Sequence, residues 1–197
     1  MQTAFATDIF YDGSQLRSGF ISETFGLSGD AIVAFTGGCD VSPEHMLDLE
    51  DLEAGQSIRA RLMLHFIVEH YGMELPLAVA RQRLLAALVR EVLADEYSIS
   101  GITREGDDLY LGRLKLGPSA EPEAGGRKLS ISVAVKSPVS GLIHFAMNID
   151  PTDAPVPAVG LRELGLQESA VATVIQKAYV TEIASCERAA SKVRAAK

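Results

Sequence analysis

The sequence predicts an α/β (α+β) protein, with a mixed, mainly antiparallel sheet flanked by helices. Two observations carry this expectation. Short apolar segments separated by turn residues run through 99–149, one of them with strict alternation, and the segments 77–94 and 167–197 carry helical periodicity suited to covering one face of a sheet. With 197 residues, 47% of them apolar, the chain reads as one domain over 1–197 with a C-terminal helix at about 167–197.

Taken in order, residues 9–16 hold a turn signal, Asp12-Gly13-Ser14. Residues 31–35, between Gly29-Asp30 and Gly37-Gly38, read as a short buried strand ended by a glycine-marked turn. Ser42-Pro43-Glu44 has the form of a helix start, with Ser as N-cap and Pro at the first helical position. The acidic stretch 48–53 reads as a solvated helix face or loop. Residues 62–71, rich in Leu, Ile, Val and Phe and closed by Gly72, form a central strand rather than a buried helix. The clearest helix is 77–94, with Leu77, Leu84, Leu85, Leu88 and Val92 on one face and Pro76 in its first turn. Strands at 99–104 and 108–111 flank the turn Glu105-Gly106-Asp107, and 117–126 reads as a mobile hairpin loop. Residues 129–135 alternate as a half-buried strand, Ser137-Pro138 turns the chain, and 142–149 is a further strand. Three prolines hold 151–157 extended or looped, and the last helix turns Val171, Val174, Ile175, Ala178, Ile183 and Cys186 inward.

A net charge of -8 argues against a broad grip on nucleic acid or on anionic membrane, both of which need clustered Lys and Arg. The expected partner is a small-molecule substrate. Two cysteines, Cys39 and Cys186, make no disulfide framework and suggest a reducing compartment. Residues 1–10 have no secretory-leader pattern, and no window approaches the ~20 apolar residues of a spanning helix. The expected location is therefore cytoplasmic, with no membrane partner. The long last helix makes a homodimer a candidate assembly.

The candidate site lies on two facing strands. In 128–135 the even positions Lys128, Ser130, Ser132 and Ala134 share a face, and in 142–149 so do Leu142, His144, Ala146 and Asn148. Ile143, Phe145, Met147 and Ile149 are uniformly apolar and need helix cover. The small, polar faces leave room for a ligand and present a cation, an imidazole and a carboxamide to it. The competing reading is a sheet face that simply meets water. Arg17 is a second candidate anion ligand. His65-Phe-Ile-Val-Glu69-His70 resembles the His-x-x-Glu-His helix of some zinc peptidases with one residue too many. On a strand His65 and Glu69 share a face and His70 takes the other, so no metal is expected here. His65 and Glu69 instead line the same cleft as Lys128 or pair with each other. A metal-dependent hydrolase using His65, Glu69 and His70, with His45 as a further ligand, stands as the third functional reading. Gly37-Gly38 with Asp40 lacks the Gly-Lys-Ser/Thr of a nucleoside-triphosphate loop.

Gly106-Asp107-Asp108-Leu109-Tyr110-Leu111-Gly112 resembles the Asn-Asp-Ile/Leu-Tyr strand of biotin-protein ligases, and Gly126-Arg127-Lys128-Leu129 resembles the Gly-Arg-Lys that follows it there and in lipoate ligases and octanoyl transferases. His144-Phe145-Ala146-Met147-Asn148-Ile149 is similar to the His-Gly-x-Ala-Leu-Asn-Val strand of the octanoyl transferases, and the likeness covers roughly 62–166. The whole chain more closely resembles an uncharacterised prokaryotic family of DUF366 type, through Tyr11-Asp-Gly-Ser-Gln-Leu-Arg17, Met63-Leu-His-Phe-Ile-Val-Glu-His70 and Arg127-Lys-Leu-Ser130. The ligase resemblance implies a biotin/lipoate-protein ligase-like, class II synthetase-like fold that binds a small carboxylate or its adenylate. Lys128 would then be the electrostatic catalyst, with Asp108 near it or the nucleotide, and His144 and Asn148 would shape the cleft. ATP or an acyl-adenylate is the implied cofactor class. Two departures weaken the catalytic half of that implication. The loop Pro157-Ala158-Val159-Gly160 has no nucleophilic Cys, and Ser57-Ile-Arg-Ala-Arg61 has no glycine triplet, although Arg59 and Arg61 could hold phosphate. A non-catalytic small-ligand-binding relative of that fold is the second reading.

Overall fold

The computed structural model describes residues 1–112 and 126–196, so the loop expected at 117–126 lies, apart from Gly126, outside the described residues. Five strands, β1 (Gln2–Ala6), β2 (Ala31–Val41), β3 (Ile58–Tyr71), β7 (Ser130–Lys136) and β8 (Ser140–Asp150), form one sheet in the order β1-β2-β3-β8-β7. The β1–β2 pair is parallel and the other three pairs are antiparallel. Three short strands, β4 (Ile102–Glu105), β5 (Asp108–Leu111) and β6 (Arg127–Lys128), form a second antiparallel ribbon. The helices are α1 (Phe20–Phe25), α2 (Leu49–Glu53), α3 (Leu75–Asp95) and α4 (Glu168–Ser191).

Both faces of the large sheet are buried. On one, α3 and α4 set Leu85, Val89, Ile175 and Tyr179 against Ile32, Phe66, Phe145 and Met147. On the other, Tyr11, Leu16, Phe20 and Ile21 from the N-terminal segment cover Val33, Phe35, Ile67 and Ala146. Burial of each such side chain contributes about 1.5–3 kcal/mol, which favours strands that are apolar on both sides. This is why Leu62, Met63, Leu64, Phe66, Ile67 and Val68 are apolar at odd and even positions alike instead of alternating. Pro76 sits in the first turn of α3, and the Gln167 side chain caps α4 by accepting a hydrogen bond from the Ala170 amide. Two polar contacts pin α4 to the sheet. The Tyr179 hydroxyl lies 3.0 Å from His70 Nε2, whose Nδ1 is 2.9 Å from Asp30, and Gln176 donates to the Ala4 and Ile32 carbonyls.

Several expectations are corrected. Gly37-Gly38 makes no turn, because β2 runs on to Val41 with a register shift between Gly37 and Cys39. Residues 9–11 lie alongside this second half of β2, with Ile9 N donating to Thr36 O, Tyr11 N to Gly38 O and Asp40 N to Tyr11 O. A Cβ on Gly37 would stand 1.8 Å from the Ile9 carbonyl oxygen, so the glycine serves close backbone approach. The strand expected at 129–135, with its even face taken from Lys128 onward, is broken at Leu129. Lys128 belongs to the ribbon opposite Tyr110, and β7 begins at Ser130.

The faces of β7 are also reversed. Ile131 pairs with Ala146 and Val133 with His144, which places Ile131, Val133 and Val135 on the sheet face away from the long helices. Ser132 faces α3, where buried Gln82 donates to its hydroxyl at 3.0 Å. A polar residue on the helix made the small, polar side of the strand the better one to pack there. On α3 the buried stripe is Ala78, Leu85, Ala86, Val89, Val92 and Leu93, whereas Leu77 is 48% exposed. Cys186 is exposed rather than inward. Ser42 begins only a three-residue 3-10 turn, Pro43–His45, and its side chain makes no capping bond.

Gly37→Ala is expected to cost about 2–3 kcal/mol, as overpacking against fixed backbone does, measured as a lower urea midpoint with an unchanged m-value. An unaltered midpoint would mean that residues 9–11 do not depend on the approach at Gly37.

Candidate functional site

A cavity of about 320 Å³ opens on the sheet face away from α3 and α4. Its floor is formed by Tyr11, Met63, Ile131, Val133 and His144. One wall comes from the segment around α2, with Asp48, Glu50, Asp51 and Arg59, and the opposite wall brings in Asp107, Asp108 and Lys128. Ala154, Pro155 and Val156 close a third side.

The backbone of Lys128 is clamped. Its amide donates to Pro157 O, and its carbonyl accepts from Val159 N and, at 3.2 Å, from Asn148 Nδ2. Its amine lies 2.7 Å from Asp108 Oδ2, with both side chains about three-quarters buried. Burial opposes the lysine's charge, but the attraction and hydrogen bond of Asp108, with Tyr110 and Asp51, outweigh it and raise the pKa, so the amine stays cationic. Burial raises the Asp108 pKa, and Lys128 offsets part of that rise. Asp51 is also raised, by burial and by Asp48 and Asp107, against the pull of Lys128. The Asp48 side chain caps α2 by accepting from the Glu50 and Asp51 amides.

Beneath the floor runs a column of stacked rings. Tyr11 stacks on His144 with centroids 3.9 Å apart, and Phe35 stacks on His65 at 5.0 Å. The two imidazoles meet through His65 Nδ1 and His144 Nε2 at 3.1 Å, so one donates and the other accepts. Burial keeps both neutral. It pushes His65 down to about 3 and lowers His144 well below the usual imidazole range, and His65 adds to the latter shift.

Lys128, Asp108, His144 and Asn148 are therefore brought together around one cavity. His65 lies one layer beneath, bonded to His144 rather than to Glu69. Glu69 is buried and accepts from the Ser18 and Ser140 hydroxyls, away from Lys128. Ser130 is buried, and its hydroxyl accepts from the Leu109 amide, holding the ribbon to the sheet. Arg17 pairs with Glu23 at the surface and is not among the cavity-lining residues. His70 faces the opposite side of the sheet and bonds Asp30 and Tyr179, so His65, Glu69 and His70 do not converge. Arg59 lines the cavity and pairs with Asp40, while Arg61 pairs with Asp150.

Sequence reasoning missed Tyr11 and the carboxylates of α2. The acidic stretch 48–53 does form a short helix, but Asp48, Glu50 and Asp51 line the cavity. The available signal for Tyr11 was the Gly37-Gly38 pair, once read as a site of close approach.

The family described as Domain of unknown function (DUF366) matches residues 1–121 and 123–194. An uncharacterised protein of Methanocaldococcus jannaschii is 32% identical over 185 residues, which cover 90% of this chain and 77% of that protein. A solved protein of unknown function from Pyrococcus horikoshi superposes with a TM-score of 0.86 at 36% identity, over 99% of this chain and all of that one. The biotin protein ligase of Aquifex aeolicus, solved in complex with biotin and ATP, superposes with a TM-score of 0.54 at 12% identity, over 91% of this chain and 69% of the ligase. Among the described residues no helix is long and apolar enough to cross a membrane.

The buried neutral imidazoles predict acid sensitivity. The unfolded chain takes up protons as pH falls below about 6.5 while folded His65 and His144 do not, so stability is lost from there towards about pH 3. Each imidazole contributes a slope of about 1.4 kcal/mol per pH unit. Urea unfolding between about pH 6 and pH 5, where most carboxylates stay ionised, should therefore show His144→Phe with a slope shallower by about that amount. Equal slopes would mean that His144 is protonated in the fold.

Proposed function

Because this chain belongs to the DUF366 family and shares the fold of a biotin protein ligase, we propose that it binds a small carboxylate in the cleft beside Lys128. The observation that carries this reading is the Lys128 amine, kept cationic and fixed 2.7 Å from Asp108 on the wall of a cavity of about 320 Å³. A clamped ammonium with restricted access to water binds a carboxylate oxygen through a charge-assisted hydrogen bond, and its partner carboxylate holds it in place meanwhile. The floor of Tyr11, Met63, Ile131 and Val133 suits the apolar body of such a ligand. The ligase neighbour was solved with biotin, itself a small carboxylate, which agrees with this class of ligand.

The cavity fits a polyphosphate poorly. Its two cations, Lys128 and Arg59, are each paired with an aspartate, and Asp48, Glu50, Asp51 and Asp107 face the same space. ATP chemistry therefore forms no part of this reading. An acyl-transfer enzyme would use the same Lys128 to stabilise a developing oxyanion. Binding without covalent catalysis is favoured because neither Cys39 nor Cys186 lines the cavity.

Isothermal titration with linear monocarboxylates from acetate to decanoate should identify a best binder. Lys128→Met is expected to weaken that binder at least about tenfold, the effect of losing one charge-assisted contact. Arg17→Met, which removes an exposed cation outside the cavity, should leave its Kd unchanged. Equal affinity in the wild type and Lys128→Met would overturn the reading.

A further inference from the structure

We infer that the ligand carries a protonated amine as well as a carboxylate, so that the cleft is a receptor for a small zwitterion. This rests on the reading of Lys128 as the carboxylate anchor. Five carboxylates line the cavity, from Asp48, Glu50, Asp51, Asp107 and Asp108, against the two cations Lys128 and Arg59. Both cations already have partners, as does Asp107, which pairs with Arg83. Glu50 and Asp51 have no ion pair among the described residues, and Lys128, which attracts Asp51 from a distance, is itself paired with Asp108, so the α2 wall presents a net negative field to the cavity.

A second observation is independent of that field. Three deeply buried side chains bring polar atoms to the same cavity that have no hydrogen-bond partner among the described residues. They are the Tyr11 hydroxyl, His144 Nδ1 and Asn148 Oδ1, on residues that are 3%, 2% and 7% exposed. The carboxamide oxygen can only accept, the hydroxyl can accept, and the neutral imidazole nitrogen accepts in one of its two tautomers. These atoms open onto the cavity while the rest of each side chain is buried, so the floor offers fixed acceptors to a ligand that donates hydrogen bonds. The carboxylates do not converge as metal ligands do. Among the described residues no three His, Cys, Asp or Glu side chains are grouped to hold a metal ion. Charge spread along a wall suits an ammonium, which offers several donors and needs no fixed coordination shell.

The test compares hexanoate, 6-aminohexanoate and hexylamine by isothermal titration on the full chain. The wild type should bind 6-aminohexanoate at least about tenfold more tightly than hexanoate, and added salt should shrink that advantage. Asp51→Asn and, independently, Glu50→Gln should each cut the advantage at least about threefold, while Lys128→Met weakens both carboxylates alike. If hexanoate binds as tightly as 6-aminohexanoate and still depends on Lys128, the zwitterion inference is wrong and the carboxylate reading stands. If hexylamine matches 6-aminohexanoate and Lys128→Met changes neither, the carboxylate anchor is wrong and amine recognition remains. Absence of binding by all three up to about 10 mM would overturn both.

Discussion

The central sheet has two apolar faces, and long helices cover only one of them. The other is closed by the N-terminal segment, whose backbone runs against the second half of β2 through a contact that Gly37 alone permits. That approach carries Tyr11 over His144 and makes it both lid of the aromatic column and floor of the cavity. Cover by an irregular segment leaves gaps that a packed helix would fill, and the cleft is one of them. Site and fold thus depend on the same backbone contact.

The chemistry of the cleft follows from a break in one strand. At Leu129 the chain leaves the small ribbon and joins the large sheet, so Lys128 and Ser130 belong to different sheets. The lysine turns to the wall of the cavity, where Asp108 from the neighbouring ribbon strand meets it. A partly buried ion pair of this kind adds little stability, because desolvation offsets most of the attraction. Its value lies in holding a charged amine at one point. The hydrogen bonds that residues 157–159 and Asn148 make to the Lys128 backbone serve the same end.

Membership of the DUF366 family and the ligase-type superposition describe the frame, and the residues in the cleft describe what that frame can hold. An acidic wall, a single fixed ammonium and unpaired acceptors on the floor form a combination that polyphosphates disfavour and small charged organic molecules suit. The other buried polar groups act as struts. Glu69 ties Ser18 to Ser140, and His70 with Asp30 and Tyr179 docks α4.

Much of the architecture was legible in the sequence because it rests on local periodicity. The long helices, the strands at 62–71 and 142–149 and the burial of Ile143, Phe145, Met147 and Ile149 under helices all follow from spacing along one segment. Lys128, Asp108, His144 and Asn148 were legible as candidates, from a family resemblance and from the alternation of 142–149, but what brings them to one cavity is the break at Leu129 that puts Lys128 in the ribbon beside Asp108. The orientation of β7 was not legible. Alternation shows that a strand has two unlike faces, but which one turns to the helices is settled by its register with β8 and by Gln82 from a distant helix. Tyr11, the α2 carboxylates and the pairing of His65 with His144 were likewise decided only in three dimensions. Each depends on contacts between segments far apart in the chain, and local pattern carries no information about those.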